Sequence, residues 1–237
     1  MLLRMVRIAL FPLIAWTFAA APALAQDRAP VVVELFTSQG CSSCPPADKL
    51  MGRLAERDDV IALALHVDYW DYIGWKDVFA DPANSERQRA YAKRAGRRSV
   101  YTPQMIVNGE ASVVGARPME VSDAIDAAEE MPMPVAVTLT REGGALSVTA
   151  EYSGAAPVDM VVNAIRYEPS QDVHITRGEN AGRTLRYHNV VTQWQVLDKW
   201  RGAETFKAQV DLPGAQPVVV IVQAAGHGPV LGAARLR

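Results

Sequence analysis

The chain has 237 residues, a formal charge of −2, 21% charged side chains and two cysteines. That length suits one large domain or two small ones and is ample for a packed core. The near-neutral balance, with no dense run of Lys or Arg, argues against a nucleic-acid surface; the basic stretch SERQRAYAKRAGRR reads as a solvated helix face.

Residues 1–25 carry Arg4 and Arg7, an apolar run, and Ala23-Leu24-Ala25 before Gln26. This is the charged, apolar and small-residue order of a cleavable export signal. The apolar run is short for a membrane span and contains Pro12. Cleavage would remove two positive charges and leave a chain of about −4. The protein is expected to be periplasmic or secreted, and to meet the membrane only through the signal before cleavage.

The next hundred residues alternate strand and helix patterns. Residues 31–37 (VVVELFT) read as a buried strand, and Ala47, Leu50, Met51, Leu54 and Ala55 follow at helical spacing. Residues 60–67 (VIALALHV) form a second strand run. Asp81-Pro82 opens a helix, with Asp as cap and Pro in the first helical position, and Gly96 stops it. Asn108-Gly109 between residues 104–107 and 112–114 is a hairpin signal. Arg117-Pro118 begins a last helix with Val121, Ala124, Ile125 and Ala128 on one face. The order over residues 30–130 is β-α-β-α-β-β-α.

MPMP at 131–134 breaks the pattern. Short strand-like runs follow at 135–140, 146–152, 160–167, 190–197, 205–210 and 218–223, separated by turns such as Gly143-Gly144 and Pro213-Gly214. Residues 134–237 therefore read as a small all-β domain, a sandwich, attached to an α/β domain.

Both cysteines fall in GCSSCPPAD, as Cys41 and Cys44. As a staple the pair is weak: closing so short a loop constrains the unfolded chain by about 2 kcal/mol, against about 3 for fifteen residues. Zinc needs four ligands, and His66, His174, His188 and His227 are scattered. A two-thiolate Cu(I) site stays open, since soft sulfur suits that ion. The place of the pair, between a strand and a helix, favours redox chemistry. Unpaired N–H groups and the dipole at a helix N-terminus stabilise a thiolate, which is the attacking species. Cys41 would lie at the exposed end of the loop and attack; Cys44, one turn in, would resolve the mixed disulfide.

With CSSC after the first strand and Tyr101-Thr102-Pro103 before the third, residues 30–130 resemble the thioredoxin fold. The resemblance implies that Pro103 is a cis-proline opposite the dithiol and that Thr102 faces the backbone of a bound peptide. GCSSCPPAD and YTPQMIVNG, with RGENAGRTLRYHNVV at 177–191, are similar to a family of bacterial exported, thioredoxin-like proteins of unassigned function. Gly40 and Ser42-Ser43 depart from the residues usual in thioredoxins, which leaves the redox direction open. The resemblance also suggests a buried acid beneath the dithiol. Glu34 is the candidate proton relay, although it stands seven positions before Cys41 where six is usual; an acid reaching a surface or a structural partner is an equal alternative.

Residues 66–75 (HVDYWDYIGW) leave the second strand at the carboxyl edge where ligands of open α/β sheets gather. Tyr69, Trp70, Tyr72 and Trp75 would form a substrate-facing wall or, equally physically, anchor a long loop on the core. Trp70 and Trp75 are the candidate binding residues there. His66 reads as a packed histidine, and the stretch 177–191 as a solvated loop entering a strand, with contact to the first domain as the alternative.

These readings converge on an exported thiol–disulfide oxidoreductase. It would need no metal or organic cofactor, and a thiol- or disulfide-containing protein or small thiol would reset it. The competing reading is a Cu(I)- or partner-binding module without turnover.

Overall fold

A computed structural model describes residues 29–212 and 214–237; the expected export signal lies outside the described residues. Strands β1 (Val31–Thr37) and β2 (Val60–His66) are buried at every position, as near-continuous apolar runs require of strands covered on both faces. They pair in parallel, Val31 opposite Val60 and Thr37 opposite His66. Helix α1 (Pro45–Ala55) makes the crossover, with Pro45 and Pro46 in its first positions, where no N–H is needed. Asp81 caps α2 (Pro82–Arg94) by accepting from the Ala83 N–H at 2.8 Å. Strand β3 (Gln104–Val107) runs antiparallel to β1 and continues into β4 (Ala111–Val114) through Asn108 and Gly109, both at positive φ. Helix α3 (Pro118–Glu129) follows.

Alternation along β1 sorts its residues between two cores. Val31, Val33 and Leu35 pack with α1, α3 and the even positions Val60 and Ala62 of β2. Val32 and Phe36 face the other way, with Ile61, Leu63 and Leu65 of β2.

The remaining strands are β5 (Val135–Glu142), β6 (Ala145–Tyr152), β7 (Met160–Ile175), β8 (Arg183–Trp200), β9 (Phe206–Asp211), β10 (Val218–Ala224) and β11 (Val230–Leu236). They overturn the expected architecture of an α/β thioredoxin-like domain followed by a small all-β domain. A single eight-stranded mixed sheet runs β11-β10-β7-β8-β2-β1-β3-β4, so strands from both halves share it. The junction is β8 against β2, where Val190 lies opposite Ala64 and the Asn189 side chain donates to the Ala62 carbonyl at 2.8 Å. A three-stranded sheet, β5-β6-β9, closes over Met160, Val162, Ala164, Val218, Val220 and Val222. Gly232 permits this closure, because a Cβ there would stand 2.2 Å from the Val135 carbonyl oxygen.

The opposite face of the C-terminal strands supplies Ile165, Tyr167, Val219, Ile221, Val230 and Ala233 to the same apolar cluster as Val32, Phe36 and Leu63. The sheet curls until its two ends share a core, helped by register shifts after Val162 and Arg166 of β7. Local periodicity marks parts of these strands, but β11, residues 168–175 of β7 and residues 183–189 of β8 lie outside the expected runs. Periodicity also carries no signal for which edges pair, and so the β8–β2 junction escaped it.

Candidate functional site

The loop between β1 and α1 carries the dithiol. Cys41 and Cys44 form a disulfide with Cα atoms 5.5 Å apart, and Cys44 is the N-cap of α1. Its carbonyl accepts from the N–H groups of Ala47 at 2.8 Å and Asp48 at 3.1 Å. Ser43 reaches both neighbours of the site: its Oγ is 3.3 Å from Cys41 Sγ and donates to the Thr102 carbonyl at 3.4 Å. The Thr102–Pro103 peptide is cis. The structure thus brings Cys41, Cys44, Thr102 and Pro103 to one edge of the sheet.

Cys41 was expected at the exposed end of this loop. It is instead 1% exposed, and Cys44 is fully buried, while Ser42 and Ser43 between them face solvent. Two segments pack against the loop that carries the sulfurs. One is the loop after β2, with a single 3-10 turn at Asp71–Ile73. Trp70 Nε1 donates to Thr102 Oγ1 at 2.7 Å, and Trp75 Nε1 to Gln39 Oε1 at 2.9 Å. Gly40 allows the close approach: a Cβ there would sit 3.2 Å from Ile73 Cδ1 and 3.3 Å from Trp70 Cβ. Tyr72, stacked on Trp70, is 81% exposed.

The second segment is the tip of the β7–β8 hairpin. Asn180 Nδ2 donates to the carbonyls of Gln39 and Cys41, at 2.9 Å each, and Arg183 donates to Asn180 Oδ1 at 2.7 Å. Glu179 accepts from the Ser42 N–H at 3.2 Å. The stretch read as a solvated loop therefore reaches the dithiol. Asn180 had no distinguishing local signal, since its contact spans 139 residues.

Glu34 lies elsewhere. As an even residue of β1 it faces away from α1, and its carboxylate accepts from Arg87 Nε at 2.5 Å and from the Tyr91 hydroxyl at 2.6 Å. Gln223 of β10 donates to the same hydroxyl at 2.8 Å. Burial, then the Glu34 charge, push the Tyr91 hydroxyl well above its ordinary value. Glu34 thus ties β1 to α2 and the C-terminal strands.

A different acid occupies the dithiol's face. Thr37 and His66, the last residues of β1 and β2, are odd and even members of the α1-facing set, and Asp48 on α1 meets them. Thr37 Oγ1 donates to Asp48 Oδ1 at 2.8 Å. His66 Nδ1 and Asp77 Oδ2 are 2.7 Å apart, both side chains fully buried, and Asp77 Oδ2 also accepts from the Gln39 N–H at 2.8 Å. Burial raises the Asp48 carboxyl from 3.8 to about 7, against lowering by His66 and by the Thr37 hydrogen bond. Among the described residues no group of three or more His, Cys, Asp or Glu side chains is arranged to hold a metal ion.

A mixed sheet with a CxxC disulfide at a helix N-terminus, near a cis-proline and contacted by a hairpin tip, defines a class of mostly-β, disulfide-bearing proteins compatible with a redox role. The chain belongs to the family described as "Protein of unknown function (DUF1223)", which matches residues 32–223. An X-ray crystal structure of a protein from Agrobacterium tumefaciens is 33% identical, with 90% of this chain and 96% of that one covered and a TM-score of 0.76. HBP35 of Porphyromonas gingivalis shares the fold at 17% identity, covering 88% of this chain and 75% of its own, with a TM-score of 0.60. No curated protein matches.

Proposed function

We propose that the protein is an exported thiol–disulfide oxidoreductase in which Cys41 and Cys44 are the exchanging pair. The observation that carries this reading is how the dithiol loop is held. Cys41 and Cys44 flank the exposed Ser42 and Ser43, and the hairpin tip is held against their loop by hydrogen bonds from Asn180 and Glu179. Such a contact opens locally at far less cost than global unfolding. Opening would expose Cys41 Sγ next to the Thr102–Pro103 turn, with Cys44 Sγ as the leaving sulfur. Trp70 and Trp75 would flank the incoming chain. Export to an oxidising compartment fits a closed disulfide, and a partner protein or small thiol would reset the pair, because the chain holds no third cysteine.

The 1% exposure of Cys41 favours a second reading: a closed disulfide that stiffens a partner-binding loop without turnover. One experiment separates the two. The Cys44→Ala protein, expressed in an exporting cell and quenched with acid, should carry partners joined through Cys41 that reducing agent releases. Absence of any such adduct, together with a wild-type disulfide that resists dithiothreitol in the folded protein, would sink the exchange reading.

A further inference from the structure

One turn into α1, at the ends of β1 and β2, lies a buried polar cluster that disulfide exchange alone does not use. Asp48 stands one helical turn after Cys44. Helical side chains tilt toward the N-terminus, so the fourth residue on lies over the turn that holds Cys44. Asp48 is 5% exposed; its Oδ1 accepts from Thr37, whereas its Oδ2 makes no hydrogen bond among the described residues. The groups facing it come from three other elements. His66 on β2 has Nδ1 against Asp77 of the following loop and an Nε2 without a hydrogen-bond partner among the described residues. Tyr187 on β8 has a buried hydroxyl without a hydrogen-bond partner among the described residues, with Arg183 acting on it from the same strand. His188, also on β8, packs against α1 at Gly52.

We propose that the Asp48 carboxyl is the proton donor and acceptor for the Cys44 sulfur as the Cys41–Cys44 disulfide opens and closes. This rests on the exchange reading above. An incoming thiolate attacks Cys41 Sγ and forms a new S–S bond there. The Cys41–Cys44 bond breaks with its electron pair on Cys44 Sγ, and the proton on Asp48 Oδ2 passes to that sulfur, leaving a carboxylate. In the reverse step Cys44 returns its proton to Asp48 as its sulfur attacks Cys41, and the thiol that entered leaves as a thiolate.

Three features carry the assignment. The first is position, on the Cys44 face of α1. The second is the free Oδ2: a purely structural acceptor for Thr37 would need only Oδ1, and an unsatisfied buried oxygen costs stability. The third is the titration of the carboxyl near neutral pH, where a group passes protons in either direction at little cost. Glu34, on the other face of β1, has both oxygens engaged by Arg87 and Tyr91.

The test is the rate of reduction of the disulfide by dithiothreitol, expressed per reductant thiolate, from about pH 5 to about 9 in the wild type and Asp48→Asn. The wild-type rate constant should be level below about pH 7 and fall by up to tenfold per pH unit above it, as the acid is lost. The variant should be level throughout and about 10²-fold or more slower at low pH. Profiles that superimpose overturn the proposal while leaving exchange intact; a wild-type disulfide that is not reduced at all overturns the exchange reading and this proposal with it. The wild type alone supplies a second readout. Its oxidised form should show an infrared carbonyl band of a protonated carboxyl that vanishes across neutral pH, and a spectrum without that band overturns the assignment whether or not the variant folds.

Discussion

Asn180 holds the backbone of the dithiol loop at two points, its Nδ2 donating to the carbonyls of Gln39 and Cys41 at 2.9 Å each. Both acceptors come from the first half of the chain and the donor from the tip of a hairpin in the second. Asn180→Ala leaves two buried carbonyls without this partner, a loss of about 1–3 kcal/mol. The reduction rate of the disulfide should rise by about tenfold or more as the cover loosens, each 1.4 kcal/mol of lost closure being a factor of ten in the open population. Chemical denaturation and timed thiol labelling measure the two effects. A slower or unchanged reduction rate would show that the hairpin tip does not gate the sulfurs.

Glu34 and Arg87 form a buried pair, side chains 0% and 10% exposed. Removing one member of such a pair costs about 3–5 kcal/mol, because the other charge stays buried. Arg87 keeps a cation–π contact with Trp194 at 3.9 Å, so Glu34→Gln should sit at the lower end of that range. Its reduction profile with pH should keep the wild-type break near pH 7. Loss of that break in Glu34→Gln, with retention in Asp48→Asn, would return the proton role to Glu34.

The Asp48 carboxyl titrates at about 7 in the folded protein against 3.8 ordinarily. The folded state therefore binds more protons than the unfolded one between those values, and stability falls as pH rises through that window. The stabilising effect of protonation is fully present below about 4 and gone above about 7. Asp48→Asn removes this dependence, so the variant should gain on the wild type by a few kcal/mol, in order of magnitude, between pH 4 and 8. Urea midpoints of the oxidised proteins at those two pH values provide the check; parallel changes in both would refute it.

Ile221 of β10 is fully buried in the cluster that also contains Val32 and Phe36 of the first half. A shared core predicts one cooperative unfolding transition. Ile221→Ala should lower the stability of the whole by about 2–5 kcal/mol. Calorimetry that resolves two transitions, with only the later half affected by Ile221→Ala, would contradict it.

The identity of the elements of the first half could be read from residue order because their causes are local, whereas β11 and the start of β8 were not among the expected strands. Val31 to Thr37 and Val60 to His66 are strands through unbroken apolar runs. Asp81-Pro82 starts a helix through one cap and one fixed φ, and Asn108-Gly109 turns a hairpin through two residues that accept positive φ. The pairing of Cys41 with Cys44 is of the same kind, set by a three-residue separation at the mouth of a helix. Even the displacement of Glu34 from the dithiol follows from parity: it is an even residue on a strand whose odd residues face α1.

What surrounds the sulfurs was settled only in three dimensions. Asn180, Tyr187 and Asn189 meet the β1, α1 and β2 region because β8 hydrogen-bonds to β2, and no local pattern encodes the choice of that edge. The union of both halves in one sheet, the burial of Cys41 and the near-neutral titration of Asp48 all descend from that pairing and the packing it enforces. Burial and electrostatic environment are sums over neighbours distant in the chain, so they come into being only when the chain has closed on itself.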